Sequence, residues 1–393
     1  MSVRRHEIQA DEIQGLKLFK PLSQLLSKLH LAGCERDRAH NRDLHMDQYM
    51  MLLLLYMFNP ICVSLRSLQQ VSTLKKVQKT LGVSRTSLGS LSEAHQVFDP
   101  QLLVGIIAEL SGQLKLIPHD ARLDDLGAIL TLVDGTLIKA LPKMTWALWQ
   151  DEEHRGVKAH VQFELLKGVP ISAVITEGNG NEKDILGQNL QSGRFYVNDR
   201  GYCKFALFQK MIDIGSSFVG RIGDNSVYEV VKENELSGEV KAAGLLWDRV
   251  VRLGSNNKKD ILKQPVRILA IECKPHPRRA AGRGPSQGEI LLVATDRLDL
   301  PADVIALIYQ NRWAIEIFFR FFKHVLGCRH LLSHKKDGIE LQTYAAIIAC
   351  LLIALWTGRK PTLRTYEMIC YYLMGWATED ELLAHIAKLQ KQD

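Results

Sequence analysis

Between residues 127 and 212 the chain alternates between two textures, and that alternation does most to narrow what it can fold into. Residues 128–137 (AILTLVDGTL) form a β-type run. Residues 157–166 (VKAHVQFELL) and 169–176 (VPISAVIT) follow, separated by Lys167-Gly168, a dipeptide suited to a hairpin turn. Residues 181–190 read as a helix, 194–198 (RFYVN) as a short strand and 202–212 as a second helix. Three strands, a helix, a strand and a helix make a mixed α/β pattern.

The flanks differ. Residues 1–118 read as mostly helical, with apolar residues at helical spacing through 16–31 and 47–58. Residues 64–81 (SLRSLQQVSTLKKVQKTL) form a helical stretch that Gly82 breaks. Ser84 suits an N-cap, and a second helix follows over 85–97. Helix, short turn, helix has the shape of a helix-turn-helix whose second helix opens with Arg85, Thr86 and Ser87, groups able to reach DNA. Two ordinary bundle helices with a solvated face fit the same pattern. Residues 218–300 interrupt the α/β alternation with β-like runs at 227–231, 250–253, 266–271 and 290–294, and with a strongly basic loop, 274–284 (KPHPRRAAGRG). This reads as a β-rich insertion. A helical third begins near Pro301.

Composition sets outer limits. The net charge of +7 suits a partner that carries phosphates. The seven cysteines are odd in number, and none forms a C-x-x-C pair, so neither a disulfide framework nor a zinc ribbon is expected and a reducing cytoplasm fits. The N-terminus (MSVRRHEIQADEIQ) has no apolar core behind its arginines and does not read as a signal peptide. The apolar runs 49–58 and 344–356 fall short of the roughly 20 residues that span a bilayer, so they are expected as buried core helices rather than membrane spans.

The chemistry is densest between residues 301 and 326. Tyr309, Arg312, Glu316 and Lys323 are spaced Y-x2-R-x3-E-x6-K. On one continuous helix at about 100° per residue they fall within roughly 60° of arc. Arg320 and Trp313 flank that face, and Ile315, Phe318, Phe319 and Phe322 lie opposite, to be buried. Cations beside a carboxylate suit a site that holds a phosphodiester against a metal; a surface Arg312–Glu316 ion pair is the plainer alternative. Asp134 and Asp199 each end an apolar strand, in VDGT and NDRGY. Carboxylates at such places are costly unless paired or metal-bound, although each is also able to cap the turn that follows. With Glu316 they supply hard oxygen ligands suited to Mg²⁺ or Mn²⁺.

VDGT, NDRGY and the Y-x2-R-x3-E-x6-K helix, in that order, resemble the DDE motifs of the IS4-type transposase family, over about residues 127–330. The resemblance implies an α/β fold with an RNase H-like core interrupted by a β-rich insertion before its last acidic helix. It implies that Asp134, Asp199 and Glu316 are catalytic and hold two divalent metal ions. It implies that Tyr309, Arg312 and Lys323 contact transposon-end DNA, with hairpin release of the ends, joining of 3′-OH ends to target DNA, and a homodimer bridging two ends. Family members flip a base onto a tryptophan of the insertion; Trp247 is the only tryptophan there, and a core role suits it equally. Lys158 and His160 alternate on a strand beside that of Asp134, either facing phosphate or lining an exposed sheet face. Arg200 and Asn198 flank Asp199, to steady it or to touch DNA. Glu182 and Asp184 open a helix and suit its dipole.

The expected organisation is a helical DNA-binding domain over 1–118, core over 119–217, insertion over 218–300, acidic helix over 301–335 and helical region over 336–393. The expected protein is an insertion-sequence transposase of the bacterial cytoplasm acting on terminal inverted repeats. A metal-dependent nuclease on the same core and an inactive DNA-binding relative are its rivals.

Overall fold

The computed structural model describes residues 20–33, 35–37, 42–140, 143–149, 154–254, 262–273 and 289–390. The basic loop 274–284 and the N-terminal stretch 1–14 lie outside the described residues. In chain order the elements begin with α1 (Lys20–Leu26), α2 (Leu29–Ala32), α3 (Met46–Phe58), α4 (Leu65–Ser72), α5 (Lys75–Leu81), α6 (Leu88–Val97) and α7 (Leu102–Gln113). Then come β1 (Ile129–Lys139), β2 (Gly156–Glu164), β3 (Val169–Glu177), α8 (Glu182–Gln188), β4 (Arg194–Asn198), α9 (Phe205–Asp213), β5 (Ser217–Arg221) and β6 (Tyr228–Asn234). The remainder is α10 (Gly238–Ala242), β7 (Leu245–Leu253), β8 (Val266–Glu272), β9 (Ile290–Thr295), α11 (Ala302–Gln310), α12 (Trp313–Arg320), α13 (Lys336–Thr357), α14 (Leu363–Leu373) and α15 (Glu379–Gln390).

These elements divide into two compact units. The first comprises Met1–Pro118, Thr136–Asn179 and Ile317–Asp393. Its centre is α13, whose residues Ile339 and Leu341 through Ala354 are buried on every side, as a helix apolar all round must be. By length and composition this helix meets the requirement for crossing a membrane, but 94% of its apolar window is buried against protein. It packs on β3, α7, α3 and α6, and the Tyr344 hydroxyl donates to the Ala173 carbonyl at 3.2 Å. The regions expected as a separate N-terminal domain and a separate C-terminal region therefore share one core. A helix without a polar face needs partners on all sides, and residues 1–118 supply several of them.

The helix-turn-helix stretch is more broken than its sequence suggests. Ser64 caps α4 by accepting from Ser67 N, α4 stops at Thr73, and α5 begins only after Leu74. Gly82, at φ 64°, ends α5 as expected. The next helix is capped by Ser87, not Ser84, through a bond from Ser90 N at 3.0 Å. Thr86 is buried, its amide donating to the Ser72 hydroxyl, so the turn is pinned to α4 and Arg85 stands exposed before the helix.

The second unit comprises His119–Gly135 and Gly180–Glu316. The first half of β1 pairs in parallel with β4, and β4 with β5. On the far side of β5 the order continues β9-β8-β7-β6, all antiparallel. Phe218, the expected first residue of the insertion, is inside β5 and belongs to the parallel part. The β-rich stretch is also no self-standing subdomain. Val251, Leu253, Val266, Ile268 and Ala294 join Tyr196, Phe208 and Phe218 in one buried cluster, with the last two rings stacked at 4.2 Å.

Truncating the centre of α13 tests its role as the first unit's core. Leu351→Ala at this fully buried position is expected to cost about 2–5 kcal/mol, read as a lowered urea midpoint; a loss below about 1 kcal/mol would contradict the packing.

Candidate active site

Asp134 lies within β1 rather than at its tip, two residues past Leu132↔Val197, the last paired position with β4. Asp199 sits two residues past Val197, just beyond the end of β4. Parallel pairing therefore brings the two aspartates side by side. Each carboxylate also accepts from a nearby amide: Asp134 Oδ1 from Gly135 N at 2.7 Å within the strand, and Asp199 Oδ1 from Gly201 N at 2.8 Å. Only Asp199 caps a turn, that of Arg200–Tyr202, and it does so while converging with Asp134.

The electrostatics follow from that closeness. Burial, and then the negative charge of Asp199, push the Asp134 carboxyl up to about 7, against the opposing pull of the Gly135 amide and Arg312. Glu182 adds to the effect. The sequence pattern assigned Glu182 to its helix dipole, and it does open α8. Yet its carboxylate turns toward the aspartates: a Cβ on Gly201 would meet Asp199 Oδ1 at 2.9 Å and Glu182 Oε2 at 3.4 Å. Tyr202, almost fully buried, completes this group; burial, then Glu182, Asp134 and Asp199, raise its phenol well above the usual range. Glu182 carried no motif, and Tyr202, the last residue of NDRGY, had no role assigned to it. Their membership depends on where the chain returns after β3 and β4.

The acidic helix is not the continuous rod that its spacing implied. α11 ends at Gln310, Asn311 and Arg312 form a turn, and α12 begins at Trp313. A π-helical turn then occupies Phe321–Val325. The single wheel from Tyr309 to Lys323 does not survive, because each interruption changes the residues per turn. One part of it does: Arg312 Nη2 donates to Glu316 Oε1 at 2.8 Å across one turn. Burial works against the Arg312 charge, but Tyr309, Glu316 and Asp134 outweigh it and hold the guanidinium above its ordinary range. Burial raises the Tyr309 phenol, and its neighbours include Arg312, Arg221 and Asp199. Asp134, Asp199, Tyr309, Arg312 and Glu316 thus form one electrostatic neighbourhood, with Arg221 a further cation that no motif marked. The opposite face matches its expected burial at Ile315, Phe318, Phe319 and Phe322.

The other expected residues have varied surroundings. Arg200 is exposed and faces Asp224 at 3.9 Å. Asn198 is fully buried, and among the described residues its amide has no hydrogen-bond partner; it fits only because Gly220 lacks a Cβ, which would lie 2.5 Å from its oxygen. Trp247 packs against the buried cluster of the second unit, with the Arg249 guanidinium 4.4 Å over its ring. In the first unit Lys158 is half-buried, Arg320 exposed and Lys323 half-buried, with burial lowering the Lys323 ammonium. His160 is buried, bonded through Nε2 to Thr176 at 2.9 Å, and pushed down to about 4 by burial and then Lys158. Its ring is neutral near neutral pH.

Paired carboxylates of like charge are donors suited to a hard divalent cation. Asp134 and Asp199 provide that pair, and the upward push on Asp134 is what an ion's charge would relieve. Glu316 is instead engaged by Arg312. Among the described residues no group of three or more His, Cys, Asp or Glu side chains converges where a metal would be held. The donor chemistry fits Mg²⁺ or Mn²⁺, with two of the three expected ligands brought together.

A sequence profile of the transposase DDE domain matches residues 125–352. The transposase y4zB assigned in Sinorhizobium fredii (strain NBRC 101917 / NGR234) is 31% identical over 231 residues, 58% of this chain and 61% of that one. The transposase assigned to insertion sequence element IS5377 of Geobacillus stearothermophilus is 27% identical over 226 residues, 57% of this chain and 55% of that one. The chain thus spans 61% and 55% of the length of these relatives. The solved cryo-EM structure of a piggyBac transposase synaptic complex with hairpin DNA aligns with 100% of this chain and 84% of that chain, at a TM-score of 0.43 and 10% identity.

The Asp134 site makes a prediction about stability. Its carboxyl is raised in the folded state, so the folded protein binds a proton that the unfolded chain releases between its ordinary value near 3.8 and about 7. Without divalent cations, stability should therefore fall as pH rises through that window. Asp134→Asn should flatten the slope and, at pH 8, stabilise the metal-free protein by about 2 kcal/mol, roughly half the full conversion because the group is partly exposed. Urea melts at pH 5 and pH 8 in EDTA decide; equal slopes for both proteins would refute the coupling.

Proposed function

The chain belongs to the transposase DDE-domain family, and from that premise we propose that it is the transposase of an insertion sequence, of the IS4 type, cutting transposon ends and joining their 3′-OH groups to target DNA. The observation that carries the proposal is the convergence of Asp134 and Asp199 beside an Arg312–Glu316 pair. An RNase H-like core is the reading that suits the parallel β1-β4-β5 sheet with its acids at β1 and β4.

In this reading Asp134, Asp199 and Glu316 would hold two Mg²⁺ or Mn²⁺ ions. When bound, such ions lower the cost of generating an attacking oxygen and of charge on the leaving oxygen in phosphoryl transfer. The protein's own part is positional. Arg312 offers a charge-assisted donor to a phosphodiester oxygen, and its bond to Glu316 sets the orientation of both. Tyr309 lies beside it as a further phosphate contact. Ile315, fully buried next to Glu316, anchors the segment that carries them. Asp134, its carboxyl raised to about 7 without cations, is ready to release its proton when positive charge arrives.

DNA contacts are proposed at Tyr309, Arg312, Arg200 and Trp247 in the second unit and, taken separately, at Lys323, Arg320, Lys158, Arg85 and His160 in the first, with His160 acting as a neutral hydrogen-bonding group. Terminal inverted repeats would be read by the helical residues 1–118. Release of the ends through a hairpin, and a homodimer that bridges two ends, complete the proposal; the setting is the bacterial cytoplasm, at the nucleoid.

The test uses duplexes carrying the inverted repeats expected to flank the reading frame, with Mg²⁺. Asp134→Ala, Asp199→Ala and Glu316→Ala are each expected to reduce end cleavage by on the order of 10³-fold while leaving duplex binding in place. Retained cleavage in any one of them sinks the assignment. Cleavage of any duplex with no 3′-OH joining would point to a nuclease on the same core.

A further inference from the structure

Among the described residues, the β-rich strands that continue the sheet beyond β5 contain a buried ion pair. Arg267 on β8 donates through Nε to Asp248 Oδ1 on β7 at 2.8 Å, and through Nη2 to Oδ2 of the same carboxylate at 2.5 Å. The two side chains are 7% and 2% exposed. Asn234 on β6 donates to the same carboxylate at 3.2 Å. The remaining guanidinium nitrogen, Nη1, donates to the carbonyl of Leu300. Leu300 precedes Pro301, the residue from which α11 starts.

We infer that Arg267, held by Asp248, is a positioning residue that sets the direction of α11 and thereby the placement of Tyr309, Arg312 and Glu316; this rests on the active-site reading above. An isolated buried pair is a poor source of stability, since apolar residues of like volume serve about as well. What only an arginine fork does here is bind a carboxylate on one strand and a backbone carbonyl on the chain leading to the helix. Proline has no N–H and a fixed φ, so the peptide before it sets the direction in which the helix departs. A second arginine holds the same helix end: Arg122 Nη1 donates to Asp303 Oδ2 at 2.9 Å. α11 rises over nine residues, about 13 Å. A tilt of about 5° at its start displaces Tyr309 by about 1 Å, a misplacement of the size that costs about 10²-fold in rate. The β-rich strands thus act on the acidic helix from behind, whatever else they touch.

The experiment replaces the pair by apolar groups, Arg267→Met with Asp248→Leu, in the full chain. The urea midpoint and the affinity for an end duplex should stay within about two-fold of wild type. Single-turnover cleavage in Mg²⁺ should fall ten-fold or more, and amide exchange in α11 should speed up ten-fold or more while β8 keeps its protection. Unchanged cleavage and unchanged α11 exchange would overturn the inference. If wild type itself cleaves no end duplex, the active-site reading has failed, and α11 exchange alone decides whether Arg267 positions the helix. If the double variant does not fold, Arg267→Lys replaces it: one ammonium cannot span Asp248 and Leu300 together, so the same losses are expected, and their absence overturns the inference equally.

Discussion

Parallel pairing of β1 with β4 places two carboxylates where they repel, and the candidate site is arranged around that repulsion. Leu132 opposite Val197 sets the register, so Asp134 and Asp199 follow at matching positions. Burial on one side and like charge on the other make the ionised pair expensive. Nearby groups lower that cost in part: the amides of Gly135 and Gly201 donate to the two carboxylates, and Arg312 brings positive charge toward Asp134. The residual cost is what keeps Asp134 protonated to about pH 7, and it is also what makes the pair receptive to a cation.

The same neighbourhood explains why the third acid stands apart. Glu316 comes from a different part of the unit, on a helix that follows the β-rich strands, and its nearest strong partner is Arg312 on its own turn. An arginine that faces Glu316, Tyr309 and Asp134 at once occupies the centre of the site. Asn311 and Arg312 form the turn between α11 and α12, one turn before Glu316.

Several features were legible from residue order alone. The three strands, helix, strand and helix of the α/β part emerge nearly where alternation put them, with β4 at 194–198 to the residue. The aromatic face of the acidic helix is buried where periodicity put it, because the side-chain period of an α-helix is a local property. Other features were not legible. Glu182 looked like an ordinary first-turn acid, and its approach to Asp199 arises only when α8 lies beside the loop after β4. His160 looked like a candidate phosphate contact, and its neutrality comes from burial against β3 through Thr176. The β-rich strands read as an insertion because their runs lie between turns; only pairing shows that they lengthen an existing sheet and share its core.

The sequence by itself determined the acids, their order, the Arg312–Glu316 spacing and the texture of each region, since these depend on residues close together along the chain. Tertiary structure decided the rest: which strands pair, that α13 draws residues 1–118 and 336–393 into one unit, that the charge of Arg312 acts on Asp134, and that Arg267 reaches Leu300. Each of these joins residues far apart in the chain. Their energies come from burial and from charges brought within a few ångströms, which exist only once the sheet has closed its register.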